Sequence, residues 1–485
     1  MSPLGGTPLP SRAADPYDEF YRGDTVPRDH YRPLWDHLRD GGHAALAARA
    51  RATHVALRSE GVTFTARPDA VEGDRVWPFD PIPRIIPAAE WALIEAGVAQ
   101  RVRALNCFVH DLYHTQRVLK DGVVPAELVY ASPDFRRDIV GVEPPHGIYT
   151  HLGGIDLVRD EHGRYLVAED NLRIPSGVSY MIENRIVERR AFSELFGRYR
   201  VRHVEDYPAV LLRALQSLSP RGQREPRIVV LTPGMHNAAY LEHTFLAHEM
   251  DVDLVEGRDL VVSNDVVYLK TTRGRERVDV VYRRVDDLFL DPLCFRPDSL
   301  VGVAGIVNAW RAGNVAIVNA PGTGIADDKA IHPYVPAIIR YYLGEPPLLD
   351  NVPTYQMTNR AEREWVLANL DQVVVKRVNE SGGYGMLVGP SAPPELRAAF
   401  SRRIAENPRS FVAQAVVPPS RHVCACEDAL EPRHVDLRPF VVYGDELDVV
   451  PGGLTRVALS PGALVVDAVH GGGSKDTWVL AAAPC

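Results

Sequence analysis

The feature that most constrains this chain is the order of two pieces that chemistry puts side by side. A carboxylate cluster, Asp156 with Glu169-x-Asn171, stands far upstream of a glycine-rich, lysine-bearing loop running from Lys376 to Gly385. Hard oxygen donors of this kind suit magnesium. Glycines let a backbone close around phosphate oxygens, and a lysine adds a point charge. Most ATP-using enzymes built from both pieces carry them in the opposite order. The sequence therefore reads as one that has been cut and rejoined, and its fold has to bring distant stretches of the numbering together.

Composition fits such a chain. With 485 residues, 46% hydrophobic and 24% charged, there is enough material for two or three packed domains of a soluble globular protein. A net charge of -9 disfavours nucleic acid or an acidic membrane surface as the main partner, since either needs a concentrated basic face. Five scattered cysteines, Cys107, Cys294, Cys424, Cys426 and Cys485, are too few for a disulfide framework and point to a reducing, cytoplasmic setting. Cys424-x-Cys426, with His422 and Glu427 beside it, has no second ligand pair at a zinc-finger spacing, so an ordinary loop is the preferred reading. No basic start leads into an apolar run and no 18-residue apolar stretch occurs, so neither a signal peptide nor a membrane span is expected.

Along the chain, the Pro- and Gly-rich start reads as a disordered leader. Helical periodicity follows over His30 to Arg51 and Ala88 to Lys120, the latter with Trp91, Leu93, Ile94, Val98, Val102, Leu105 and Phe108 at three- and four-residue steps. Tyr149 to Val158 and Tyr165 to Ala168, split by the polar turn Asp160 to Gly163, predict a β-hairpin that carries the acids. From Arg227 strands and helices alternate to about residue 325, the pattern of an open α/β layer. A second α/β segment holds strands at QVVVKRV, YGMLVG and RSFVAQAVV, with a helix between the last two; further strands are expected at VDLRPFVVYG, ELDVVPGGLTRVAL and ALVVDAV.

Lys376 is expected at the end of a buried strand, with Ser381, Gly382, Gly383, Tyr384 and Gly385 as a flexible loop over phosphates or, equally, a plain Gly-rich hairpin. Gln414, Ala415, Val416 and Val417 end a strand that offers alternating N–H and C=O groups to a purine edge. Glu169 and Asn171, two apart, share one face of a strand, and Asp156 lies on the partner strand. Arg173, Ser176 and Gly177 follow in a turn suited to an anion. Arg456 in PGGLTRVAL and Lys475 in HGGGSKDTW offer a guanidinium clamp and a second mobile loop. Asp436 and Arg438 alternate on a strand, where a structural salt bridge serves nearly as well. His236, Asn237, Tyr240, Glu242 and His243 form a polar cluster after a strand, read either as substrate contacts or as helix capping and packing. Arg283 and Arg284 are either a carboxylate clamp or partners of Asp286 and Asp287.

In ordered strings such as YLVAEDNLRIPSGVSYMIENR, VLTPGMHNAAYLEH, GTGIADDKA, SGGYGML, EPRHVDLRPF and GGGSKDTWVL, the chain resembles the circularly permuted type-2 group of the ATP-grasp superfamily, related to glutathionylspermidine synthase and eukaryotic glutathione synthetase. The resemblance implies an α/β (α+β) ATP-grasp fold, circularly permuted, with an inserted open α/β substrate domain and a helical N-terminal region. The expected parts are a leader over 1–15, a helical region over 16–145, a metal-ligand part over 146–224, a substrate domain over 225–325 and a nucleotide-binding part over 326–485. It further implies an ATP- and Mg2+-dependent carboxylate–amine ligase that works through an acyl phosphate. Asp156, Glu169 and Asn171 would then hold magnesium, and Lys329 and Lys376 the nucleotide phosphates. Ser381 to Gly385 would be the lid, Gln414 to Val417 the adenine edge, and Arg456, Lys475 and Arg173 the catalytic cations. His236, Asn237, Tyr240, Glu242, Arg283 and Arg284 would face small-molecule or peptide substrates, amino acids by default, and a homo-oligomer is allowed. Glu380 departs from the smaller residue usual there and is either a further magnesium ligand or a solvated acid. The stretch Val423 to Leu430 is expected to be a variable loop. The join of the permutation is expected near Trp478, which would bring Lys475 beside the Tyr149 strand. Rival readings are an inactive nucleotide-binding scaffold or regulatory subunit, and a phosphotransferase that stops at the phosphorylated acid.

Overall fold

The long second helix, Ala88–Tyr113, shows how the sequence pattern is used. At about 1.5 Å per residue it runs roughly 39 Å. Trp91, Ile94, Val98, Val102, Leu105 and Phe108 are all buried, as their spacing predicts, but Leu93 is 48% exposed. Leu93 lies two residues past Trp91, about 200° around the axis, which turns it to the opposite side. Gln100, Arg101 and Asn106 are buried as well, leaving Arg103 and Cys107 on the exposed stripe at the middle of the helix. Its neighbour is the helix Val335–Leu343. The first helix, Arg32–Ser59, continues past the expected end at Arg51 and is interrupted at Gly42, whose φ of 67° is not helical.

The structure is a computed structural model that describes residues 15–482, apart from 24, 65–74, 380–384, 427–428, 465 and 467–471. Glu380, Ser381, Gly382, Gly383 and Tyr384, and nearly all of the expected leader, lie outside the described residues. No helix among the described residues is long and apolar enough to cross a membrane.

The fold is a mixed α/β one, and two of its sheets matter most. The first has five strands in the order Asp350–Asn351, Tyr165–Asn171, Leu152–Arg159, Phe440–Tyr443 and Leu447–Val449. Its centre is the predicted hairpin, flanked by strands from the second half of the chain: Val441 pairs with Gly153, and Asp350 lies parallel to Leu166. The second sheet runs Thr354–Gln356, Phe411–Ala415, Val373–Arg377 and Leu387–Val388, all antiparallel. A third, parallel sheet in the order Ala316–Val318, Val280–Arg283, Ile228–Leu231, Asp253–Val255 forms the expected open α/β layer. It is tied to the hairpin by Asn319. That carboxamide accepts from the N–H groups of His151 and Leu152 and donates to the carbonyls of Leu152 and Leu172, each at 2.7–2.8 Å.

Three expectations for the tail are corrected. Val423 to Leu430 is not a loop: Arg421–Cys426 and Ala429–His434 form an antiparallel hairpin. Of ALVVDAV, the described residues Ala463, Leu464 and Val466 form no strand. The last strand, Thr477–Val479, lies parallel to Arg84–Ile86 in the N-terminal region, and Lys475 bonds to the carbonyls of Ile82 and Val423 rather than lying at the Tyr149 strand.

Candidate active site

The hairpin register decides which acids meet. Asp156 stands opposite Glu169 and Gly154 opposite Asn171, with the register shifting just after Asp156. Because strand side chains alternate between faces, Glu169 and Asn171 both line a cavity of about 520 Å³ between the first two sheets. Asp170, between them, turns the other way, toward the long helix. There Arg101 donates to it through Nε at 2.5 Å and Nη2 at 2.8 Å. Burial alone would raise the Asp170 carboxyl, but the Arg101 charge and bonds, with His332, hold it well below the ordinary carboxylate range.

The cations come from the facing sheet and from the segment just after the helix Gly324–Asp327. Lys376, on Val373–Arg377, donates from Nζ to Glu169 Oε1 at 2.7 Å, and Lys329 Nζ lies 3.9 Å from Oε2. Burial acts to raise the Glu169 carboxyl, yet the two lysines hold it far below its usual value, so it is an anion. On the face shared with Lys376, Val374 pairs across the sheet with Val388, and together with Met386 and Val352 they give the cavity an apolar wall. Ala415, Val416 and Val417 continue this wall, the last two beyond the end of their strand. Gln414 also lines it, but its amide ties the sheets together by donating to Ala168 O and Thr354 Oγ1 at 3.0 and 3.1 Å.

At the other end lies a chain of charge. Arg438 grips Asp156 with Nε and Nη2 at 2.5 and 2.8 Å, Arg456 Nη2 reaches the same carboxylate at 2.9 Å, and Arg456 also pairs with Asp436. Against burial, these two guanidinium groups lower the Asp156 carboxyl. Burial raises that of Asp436 despite Arg456. The turn Ile174–Gly177 closes this end, with Arg438 donating to Ser176 O at 3.0 Å. Gly177 has φ +114° and an N–H that donates to Glu242 Oε2 at 2.7 Å. Trp77 and Tyr180, stacked at 3.9 Å, complete the wall.

Several expected site residues lie elsewhere. Arg173 is outside the cavity lining, held by Asp134, Asp286 and Asp327. Lys475 is fully buried against Asp80; burial would lower its ammonium, but Asp80 keeps it raised. Glu242 and Arg284 form a buried pair at 2.9 Å whose bonds hold Ser176, Gly177 and Ser179. Arg283 is spent on Asp287 and on the carbonyls of Val285, Asn319 and Ala320. His236 and Asn237 are exposed, the Asn237 side chain accepting from Ala239 N; Tyr240 opens the helix Tyr240–Glu249. Only Ala238 and Ala239 of that segment reach the cavity. Burial explains these corrections: Arg173, Lys475, Glu242 and Arg284 have each found a charged partner from a distant segment, which their own neighbours in sequence do not reveal, whereas Arg283 takes the Asp287 partner that its sequence offered.

Arg438, Asp436, Trp77 and Tyr180 were not among the expected site residues. The first two had a signal in the alternation of VDLRPF, whereas the aromatic pair had none. A hard cation suits Glu169 and Asn171, which offer carboxylate and carboxamide oxygens on one face; Asn171 Nδ2 is buried without a hydrogen-bond partner among the described residues, so this amide is not committed to the protein. Both oxygens of Asp156 already accept from guanidinium groups, which sets it apart from them.

A family profile described as circularly permuted ATP-grasp type 2 matches residues 83–458. The chain is 50% identical over 465 residues to a Synechocystis sp. protein, sll0335, covering 96% of this chain and 97% of that one. It is 42% identical over 467 residues to a Frankia alni protein named "Putative glutamate--cysteine ligase 2-3", covering 96% of this chain but 54% of that one. In three dimensions it is similar to a glutathione synthetase-like effector from Globodera pallida, with a TM-score of 0.59, 12% identity and 90% and 98% of the two chains covered. At that identity the likeness concerns the fold alone.

Proposed function

Because the chain belongs to the circularly permuted ATP-grasp type 2 family, we propose that it is an ATP- and Mg2+-dependent ligase that joins a carboxylate to an amine, releasing ADP and phosphate. The observation that carries this reading is the meeting of Glu169 with Lys376 and Lys329: an ionised acid and two ammonium groups converge in one cavity from two sheets and from the segment that follows the helix Gly324–Asp327. That is the charge pattern needed to hold a metal-bound polyphosphate. The name of the Frankia alni relative agrees with amide formation, although it belongs to a chain nearly twice as long.

In this reading, Val374, Val388 and Val352 receive the adenine, with Val416 and Val417 at its edge. Lys376 and Lys329 exchange Glu169 for phosphate oxygens. Magnesium, held by Glu169 and Asn171, supplies charge neutralisation at the phosphates. Arg456 and Arg438, oriented by Asp156 and Asp436, hold the substrate carboxylate in line with the γ-phosphate. The carboxylate oxygen takes the phosphoryl group and ADP leaves; an amine then attacks the acyl carbon and phosphate departs. Amino acids or small peptides are the proposed substrates.

ADP release, measured with Mg2+ and a panel of amino acids and peptides, tests the reading. Glu169→Gln and Lys376→Ala are each expected to lower turnover at least ~100-fold without altering the circular dichroism spectrum. No ADP from the native protein with any acid and amine would sink the ligase. ADP accompanied by a stable phosphorylated acid would replace it with a phosphotransferase.

A further inference from the structure

The geometry points to a second metal site, remote in character from the cleft: we propose that His110, His114 and Glu143 bind a borderline divalent cation such as Zn2+. His110 and His114 stand one turn apart at the end of the helix Ala88–Tyr113, with rings 4.2 Å apart and nearly parallel. Glu143 comes to both from a separate segment: its carboxylate lies 3.2 Å from His110 Nε2 and 3.0 Å from His114 Nε2. One ligand atom from each of the three falls within 4.8 Å of the others. Tetrahedral ligands about 2.05 Å from zinc lie roughly 3.3 Å apart, so the nitrogen–carboxylate spacings already suit one ion, and rotation of the stacked imidazole rings out of parallel brings both in-plane lone pairs onto it.

Tautomer chemistry strengthens the assignment. His114 Nδ1 lies 2.8 Å from the carbonyl of His110, which accepts a hydrogen bond from that N–H. With Nδ1 carrying the proton, the neutral ring presents the Nε2 lone pair to Glu143. A lone pair facing a carboxylate oxygen at 3.0 Å requires a positive charge between or upon them, and a proton or a metal ion supplies it. An imidazole whose far nitrogen is fixed by a backbone carbonyl is the usual condition of a metal-bound histidine. Two nitrogens and one carboxylate favour zinc, cobalt or nickel over magnesium, which takes oxygen ligands. Glu143 is 58% exposed, so the fourth position opens to water.

The site is a clamp. It would fasten the end of the long helix to the turn at Pro145–Gly147, from which the chain passes into the carboxylate hairpin. Gly147 sits tightly there: a Cβ on it would approach Glu143 Oε1 to 3.2 Å.

The full-length protein, stripped with a chelator and kept in millimolar Mg2+, is titrated with Zn2+ by calorimetry and with Co2+ by visible absorption. One zinc per chain is expected, with a rise in melting temperature and a cobalt spectrum of tetrahedral or five-coordinate type. His114→Ala and Glu143→Gln each weaken zinc at least ~10-fold, and His110→Ala/His114→Ala abolishes both the uptake and the melting shift. Circular dichroism and ADP formation with Mg2+ stay at native levels in that double variant, which shows that it is folded. The proposal is overturned if the native protein takes up no zinc at about 100 µM, or if the double variant binds it with native affinity, which would place the ion on the cleft carboxylates.

Discussion

Replacing Arg101 by Met separates the anchoring of the carboxylate strand from its chemistry. Arg101 and Asp170 are 1% and 2% exposed, and the guanidinium makes two bonds to Asp170 at 2.5 and 2.8 Å and one to Asn351 Oδ1 at 2.8 Å. Methionine keeps much of the volume but leaves the Asp170 carboxylate with His332, 3.1 Å away, as its remaining side-chain partner. Leaving one charge of a buried pair uncompensated costs about 3–5 kcal/mol, a large fraction of the roughly 5–15 kcal/mol that holds a domain together. Urea unfolding followed by circular dichroism reads the loss, and Arg101→Met/Asp170→Asn, which removes the orphaned charge, recovers ~1–2 kcal/mol of it. The pH dependence gives a second, independent sign. In the native protein the Asp170 carboxyl is depressed, so its contribution is complete above the unfolded value near ~3.9 and is lost only as the pH falls below it. Without Arg101, burial is no longer outweighed and the folded carboxyl moves above the unfolded one, so the variant regains stability as the pH falls from 8 toward 5. A loss under about 1 kcal/mol, with no difference in pH slope, would refute the reasoning and show that Asp170 is neutral or wet.

Three further outcomes follow from single contacts. Gly177→Ala places a Cβ 2.9 Å from Leu454 Cδ2 at a φ of +114°, and a loss of about 1–3 kcal/mol with weaker ATP-dependent turnover is expected in melting and ADP assays. Lys475→Met leaves Asp80 without its buried ammonium partner; the melting temperature falls, while ADP formation per folded molecule stays native, and a complete loss of turnover in folded protein would return Lys475 to the active site. Burial, reinforced by Glu60, pushes the Glu183 carboxyl up to about 7, so its contribution to stability is full at low pH and disappears as the pH rises from about 4.5 through about 7. Glu183→Gln flattens that part of the melting profile, and an unchanged profile would contradict the shift.

What the sequence made legible follows one rule, the two-residue period of a strand. It put Glu169 and Asn171 on one face and set Asp156 on the partner strand, and both placements follow from the register. The same period joins Lys376 to Val374, and Asp436 to Arg438, on the cavity side. Periodicity says nothing about which charge a buried charge will find. Arg173 stands two residues from Asn171 but is captured by Asp134, Asp286 and Asp327, acids from three other regions of the chain. Lys475, beside three glycines, carried every local mark of a mobile phosphate loop, and a single acid 395 residues away holds it in the interior. Arg101 and Asn319, which fix the hairpin from behind, had no local signal at all, and Glu242, expected to face substrate, instead holds the Gly177 turn, because these residues satisfy backbone and side-chain groups assembled only by the fold.

The inverted order of carboxylates and lysine loop can be explained on the same terms. The first sheet of the cleft mixes upstream and downstream strands, with the hairpin lying between Asp350–Asn351 and Phe440–Tyr443, while the second is built wholly from residues 354–388 and 411–415, so the contacts that make the site depend on sheet neighbours and not on chain order. A chain whose ends lie at the surface can be opened and closed elsewhere while these neighbours are kept. The last strand does not return to the hairpin, however; it adds to Arg84–Ile86, just ahead of the long helix whose Arg101 anchors Asp170. The strand Thr477–Val479 is thereby coupled, through the helix, to the hairpin strand that carries Glu169 and Asn171. Thr477–Val479 contributes to the cleft from outside it, and truncating that strand is expected to loosen Glu169 through Arg101 before it disturbs Lys376.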